Sequence, residues 1–260
     1  MQMNQTSWSN LTVGETELEY MTVCQESVDD DNVFQSFKRD PRYTIMLEHV
    51  PPEQGTKYIE TIGQYNIDEE LISKFKENDQ YGGASLVDYG EPFGKISPST
   101  LRYIQNTLDI ANFFGEGELK KIVEIGGGYG GLCKSINCLC DFEEYHIYDL
   151  ESCGRLQEKY LSHFNLSGKV FFHSVPEKIE DVDLVISNYA YSELNEEYQD
   201  LYYENVIKNA NKVYMILNKG QVSRQVLLNK AEKDFNVTVN KVLDFWPPNG
   251  HLYFTTMVKK

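Results

Sequence analysis

The chain has no basic run longer than a pair. Lys and Arg together number 24 against 40 Asp and Glu, for a formal net charge of −16. Pairs such as Lys120-Lys121 and Lys259-Lys260 flank elements and read as solvated ends. A surface this acidic repels phosphate backbones, so neither DNA nor RNA is expected as a partner. No apolar run approaches the length of a membrane span, and no membrane association is expected. The opening residues Met1-Gln2-Met3-Asn4-Gln5-Thr6-Ser7 lack a basic stretch followed by an apolar one, so no signal peptide is read and a cytoplasmic location is expected. The five cysteines are an odd number, which argues against a secreted disulfide scaffold. Cys133, Cys138 and Cys140 match no common zinc spacing and fall along one expected helix, so they read as buried thiols and no metal is expected.

At 260 residues, 41% hydrophobic and 13% aromatic, the chain can pack a sizeable core. Its organising stretch is Lys121-Ile122-Val123-Glu124-Ile125-Gly126-Gly127-Gly128-Tyr129-Gly130-Gly131. An apolar run suited to a buried parallel strand enters a glycine turn, and the residues from Leu132 to Cys140 read as a helix start. Glycines bring backbone amides close to a ligand, and the helix start adds unpaired N–H groups and the positive end of a dipole. Gly126, Gly128 and Gly131 satisfy G-x-G-x-x-G, and Asp149 lies about where the ribose-binding acid of a dinucleotide site falls. An NAD-dependent oxidoreductase is therefore one reading. The run Val-Glu-Ile-Gly-Gly-Gly-Tyr-Gly, with Glu124 two residues before the first glycine, also resembles motif I of the class I S-adenosylmethionine (SAM) methyltransferases. That resemblance implies SAM as the cofactor. It places Glu124 as an acid that helps hold the glycine loop and the methionine end of SAM.

Taken in order, residues 1 to about 35 are polar and acidic and read as a mobile or loosely docked arm. Tyr43 to Leu47 has a helical pattern that Pro51-Pro52 breaks. Thr56 to Asn78 reads as two short amphipathic helices. The glycine-rich stretch from Tyr81 to Gly94 is either a lid over the substrate or a linker. Ser97 as cap and Pro98 as first helical residue open a helix that runs to Phe114. Strands are then expected at residues 145–148, 169–173, 182–187 and 212–217, alternating with helices near 156–164, 196–210 and 223–235. Two last strands, near 237–245 and 252–258, flank Pro247-Pro248-Asn249-Gly250. The alternation predicts a doubly wound α/β sheet of Rossmann-like type. The closing antiparallel hairpin is similar to that of class I methyltransferases and argues against a dehydrogenase. The expected organisation is an N-terminal arm and helical substrate cap over residues 1–95, then a seven-stranded methyltransferase domain over 96–260.

Ligands of such sheets bind at the carboxyl ends of the strands, so the residues just after each strand are the candidates. In the glycine turn they are Gly126, Gly127, Gly128 and Tyr129. After the second strand come Asp149 and Leu150, and Asp149 either accepts the ribose hydroxyls of an adenosine or caps the next helix. The family resemblance puts an adenine contact at Ser174. After the fourth strand, Asn188 is a hydrogen-bonding candidate for the cofactor, with Tyr189 and Tyr191 as pocket walls. Glu193 is either a proton acceptor or a first-turn helix acid. O-methylation needs alignment of the nucleophile with the methyl group and removal of the nucleophile's proton. Among the five histidines, His251 is the first candidate base, in a C-terminal loop that can overhang the pocket; His49 is the second.

Beyond motif I, the segments 96–104, 122–133, 156–161 and 186–194 together look like the sugar O-methyltransferases associated with bacterial surface-polysaccharide gene clusters. The resemblance covers roughly residues 80 to 218. It implies methylation of a sugar hydroxyl, carried as a sugar or nucleotide-linked sugar; in that segment Arg102 is either a phosphate or sugar contact or a helix-surface ion pair, and Ser99 either a substrate contact or part of the helix cap. Within the same chemistry, a small phosphate-like capsule precursor is an alternative acceptor. A protein of this fold retained only as a non-catalytic partner is the remaining reading, and a homodimer is left open.

Overall fold

The computed structural model describes residues 14–115, 119–217, 222–241 and 253–260. Its N-terminal region corrects the expectation of an arm, because Glu15–Asp29 is a docked helix, α1. Tyr20, Val23, Cys24 and Ser27 recur at helical spacing and form a narrow buried stripe. Acidic residues on the other faces of the helix mask that stripe in the composition. Cys24 Sγ lies 3.9 Å from Cys153 Sγ, and Lys159 Nζ donates to the carbonyls of Ser27 and Val28, both at 3.0 Å. This lysine satisfies carbonyls that the end of α1 leaves without helical partners.

Two short helices follow, α2 (Asp31–Phe34) and α3 (Pro41–Thr44). The helix expected over 43–47 ends at Thr44, and the chain then turns through Glu48, whose φ is 45°. The two amphipathic helices are α4 (Pro52–Ile62) and α5 (Glu69–Lys76). Pro52 begins α4, since a proline's missing N–H costs nothing in a first turn. The glycine-rich stretch carries a small antiparallel pair, β1 (Val87–Asp88) and β2 (Lys95–Ile96). Gly82 has φ 84°, and a Cβ there would come within 2.6 Å of the Phe37 ring. The stretch is therefore a packed connection.

Helix α6 (Pro98–Phe114) starts as expected. Ser97 Oγ accepts from Thr100 N at 3.1 Å, and Asp79 holds both Ser97 and Thr100. Such a cap contributes about 1 kcal/mol. The alternating half comprises β3 (Lys121–Ile125), α7 (Gly131–Asn137), β4 (Glu144–Tyr148), α8 (Glu151–Leu161), β5 (Lys169–His173), β6 (Val182–Asn188), α9 (Ala190–Glu193), α10 (Glu196–Asn205), β7 (Ala210–Leu217), α11 (Val222–Ala231), β8 (Phe235–Lys241) and β9 (Tyr253–Lys259). The helix expected to reach Ala210 stops at Asn205. After one 3-10 turn, Ala210 opens β7 by pairing with Val182, so long-range pairing overrides local propensity.

The sheet runs β5-β4-β3-β6-β7-β9-β8. Strands β3 to β7 are mutually parallel, whereas β9 is antiparallel to both β7 and β8. This is the Rossmann-like α/β fold of class I methyltransferases, with its closing hairpin. The chain moves outward from β3 to β5 and then crosses back to β6, so the carboxyl ends of β3 and β6 border the switch point. No helix among the described residues is long and apolar enough to cross a membrane.

Candidate functional site

At the switch point the glycine turn leaves β3. Gly126, Gly128 and Gly130 have φ of 80°, 59° and 94°, a region that side-chain-bearing residues seldom adopt. Space gives a second reason for glycine. A Cβ on Gly126 would lie 2.2 Å from Ala190 Cβ, and one on Gly127 would lie 2.5 Å from Ile147 Cγ2. Asp149, just past β4, holds the turn: Gly128 N donates to its Oδ2 at 3.1 Å and Leu150 N to its Oδ1 at 2.8 Å. Gln157 Nε2 bridges the two parts, donating to Gly128 O at 3.0 Å and to Asp149 Oδ2 at 2.9 Å. The sequence gives Gln157 no role of its own, although it lies in the resembling segment 156–161; its physical signal is a polar residue on the buried face of α8.

Glu124 lies against the glycine loop but makes no hydrogen bond to it among the described residues. Its carboxyl accepts from Tyr145 Oη at 2.9 Å. Asp149 is also not the cap of α8, which is Leu150. Burial pushes the Glu124 pKa up to about 8, and Asp149 adds to this through charge repulsion while the Tyr145 hydroxyl opposes it. Burial likewise raises Asp149 to about 6, against the hydrogen bonds from Leu150, Gly128 and Gln157.

A cavity of about 320 Å³ opens over the turn. Its lining includes Glu124, Gly126, Gly127, Gly128, Asp149 and Asn188. Asn188 Oδ1 is buried with no hydrogen-bond partner among the described residues, an acceptor that awaits a donor. Polar side chains also line the cavity, with Arg102 and Asn106 from one face of α6, Gln54 from α4, His49 from the turn before it, and Glu193 from α9. Tyr20 of α1 and Met46, Leu47, Val50 and Pro51 form an apolar wall. Tyr189, which also lines the cavity, has φ 72°, and its N–H donates to Ile216 O at 2.8 Å. A non-glycine residue held in that region at a strand end is a strained position facing the site. The helix after it is anchored by Ser187 Oγ, which accepts from Tyr191 N and donates to Ile125 O, both at 3.0 Å.

The structure therefore gathers Glu124, Gly126, Gly127, Gly128, Asp149, Asn188, Tyr189, Arg102 and Glu193 into one cavity. Several other sequence candidates fall elsewhere. The Tyr129 ring turns into the core, edge-on to Tyr160 at 4.8 Å. Tyr191 is buried and donates to Gln199 O at 3.1 Å. Ser99 is buried behind the cavity, hydrogen-bonded to Glu48. Leu150 and Ser174 are half-buried and do not line the cavity. His251 lies outside the described residues. Among the described residues no group of three or more His, Cys, Asp or Glu is placed to hold a metal ion.

No protein-family model matches the chain, and no curated protein matches it. Solved structures similar to it include a Pyrococcus horikoshii protein provisionally named an RNA methyltransferase. It is 17% identical, with a TM-score of 0.49, over 74% of this chain and 98% of that one. The glycopeptide N-methyltransferase MtfA is 11% identical, with a TM-score of 0.48, over 61% of this chain and 90% of that one. M. capricolum TrmK, solved with S-adenosylhomocysteine, is 11% identical, with a TM-score of 0.43, over 60% of this chain and 68% of that one.

Proposed function

We propose that this protein is a SAM-dependent O-methyltransferase that methylates a sugar hydroxyl, the sugar being carried as a nucleotide-linked precursor of a bacterial surface polysaccharide. The observation that supports this reading best is the cavity at the switch point. At its glycine end every feature suits SAM. The turn has no room for side chains, the orphaned Asn188 Oδ1 suits an ammonium donor, and buried Glu124 suits a cationic neighbour. The Asp149 carboxylate, held by Gly128, Leu150 and Gln157 beside the turn, suits a ribose hydroxyl as a further donor. When bound, SAM supplies a methyl carbon already activated by positive sulfur. The chain's own work is to align the acceptor and remove its proton.

At the other end, the acceptor meets Arg102, Gln54, Asn106 and Glu193. Arg102 forms no ion pair with a carboxylate among the described residues. A half-buried guanidinium in a chain of charge −16 suits a phosphate, which it can hold with two parallel hydrogen bonds. This supports a nucleotide-linked sugar, and equally the alternative of a small phosphate-like acceptor. Residues 1–95 are proposed as the helical cap over the acceptor and residues 96–260 as the catalytic domain.

Calorimetric titration with S-adenosylhomocysteine tests the cofactor, and methyl transfer from labelled SAM to a panel of UDP-hexoses tests the acceptor. Micromolar binding of the homocysteine compound and transfer to at least one sugar are expected. Binding of NAD without S-adenosylhomocysteine would replace this reading with an oxidoreductase.

A further inference from the structure

We propose that His49 is the general base of the reaction, taking the acceptor hydroxyl's proton at Nε2. The inference rests on the methyl-transfer reading above and adds the group that completes it. His49 lines the acceptor end of the cavity together with Arg102 and Glu193. Its Nδ1 lies 3.1 Å from Leu47 O. A carbonyl oxygen only accepts, so Nδ1 carries the proton in the neutral ring, and Nε2 is the nitrogen that can accept one. The fold thus fixes the tautomer that a base needs. The residue before it, Glu48, has φ 45°. That unusual turn ends the approach from α3 and delivers the ring to the cavity.

Protonation is also biased toward the basic form. Partial burial, then the positive Arg102, hold the His49 pKa below its ordinary value, against the Leu47 and Thr44 carbonyls that raise it. The ionisable groups that share the cavity are Arg102 and Tyr103 from α6, Glu193 and Tyr189 around α9, Tyr20 from α1, and Glu124 and Asp149 at the glycine end. Glu193 is the competing base. A base is most effective when its pKa lies near the working pH, and the ordinary value of an imidazole lies closer to neutrality than that of a carboxyl.

In the step, the acceptor O–H bond breaks and its proton passes to His49 Nε2. The oxygen electron pair forms the new bond to the methyl carbon, and the carbon–sulfur pair returns to sulfur, which becomes neutral. The proton then leaves to water from the exposed ring of His49.

Two readouts test this in the full-length protein. Nitrogen-15 NMR of the histidine rings, with His49 assigned by its loss in His49→Gln, reports tautomer and pKa without any turnover. A neutral ring protonated at Nδ1, with a pKa below that of a free histidine, is expected; a ring protonated at Nε2 overturns the proposal. In methyl transfer to UDP-hexoses, His49→Gln is expected to lower kcat on the order of 100-fold or more. It should also remove the fall in kcat/KM at acid pH while leaving S-adenosylhomocysteine affinity unchanged. Glu193→Gln should keep that acid fall. A His49→Gln enzyme within threefold of wild type overturns the base and leaves the cofactor reading intact, whereas loss of S-adenosylhomocysteine binding in the wild type overturns both.

Discussion

Gly128 N donates to Asp149 Oδ2 across 21 residues of sequence, at 3.1 Å. One carboxylate thereby ties the end of β4 to the turn after β3 before any ligand is bound. Asp149→Ala removes this tie along with the proposed ribose contact. The expected loss of S-adenosylhomocysteine affinity is at least about tenfold, or about 1.4 kcal/mol, by calorimetry. Gln157→Leu leaves Gly128 O and Asp149 Oδ2 short of a donor in a buried position. It is expected to cost about 1–3 kcal/mol in denaturant unfolding, and an unchanged midpoint would show that the bridge is dispensable.

Gly126 sits at φ 80° with Ala190 Cβ in the space its own Cβ would need. Gly126→Ala should therefore destabilise the fold by about 1–3 kcal/mol and abolish measurable S-adenosylhomocysteine binding. Adding Ala190→Gly removes the clash but not the backbone strain. Thermal melts of the double variant should recover part of the loss; recovery of none would place the cost in φ alone.

Glu124 titrates far above the usual carboxylate range, near pH 8 rather than its ordinary 4.5. Between those values the folded protein holds a proton that the unfolded chain releases. This contribution to the stability of the ligand-free protein is full below about pH 4.5 and is lost as pH rises through 8. Glu124→Gln should flatten that part of the melting profile. A cationic ligand beside the carboxyl favours its ionised form, so SAM binding at pH 7 should release a fraction of a proton, and affinity should rise from pH 6 to 8. Calorimetry in buffers of different ionisation enthalpy reads that proton directly. A Glu124→Gln protein that releases as many would assign it elsewhere.

Lys159 Nζ closes the C-terminal carbonyls of α1 and pairs with Asp31 at 2.7 Å. Lys159→Met keeps the aliphatic stem and removes these bonds. An expected cost of about 1–2 kcal/mol should appear in unfolding, with faster hydrogen exchange confined to α1. Because Tyr20 of α1 lines the cavity, ligand affinity should fall with it.

What the sequence determined by itself is everything carried by local pattern. The runs at 121–125 and 182–187 read as buried parallel strands, five glycines in six residues as a close-approach turn, and Ser97-Pro98 as a helix start. With Asp149 at the next strand end, this placed the glycine side of the site. The tertiary structure decided what depends on residues distant in the chain. The stripe on α1 has meaning only against Cys153 and Lys159 of α8. Tyr129, inside the motif, gives its ring to the core because Tyr160 and Phe37 converge there. Asp149 rather than Glu124 hydrogen-bonds the loop, because a hydrogen bond is set by direction and reach, which sequence spacing does not encode. His49 meets Arg102 in one cavity because the chain takes a left-handed turn one residue before it and α6 brings Arg102 to the same space. Periodicity fixes which face a residue occupies; only packing fixes what it meets.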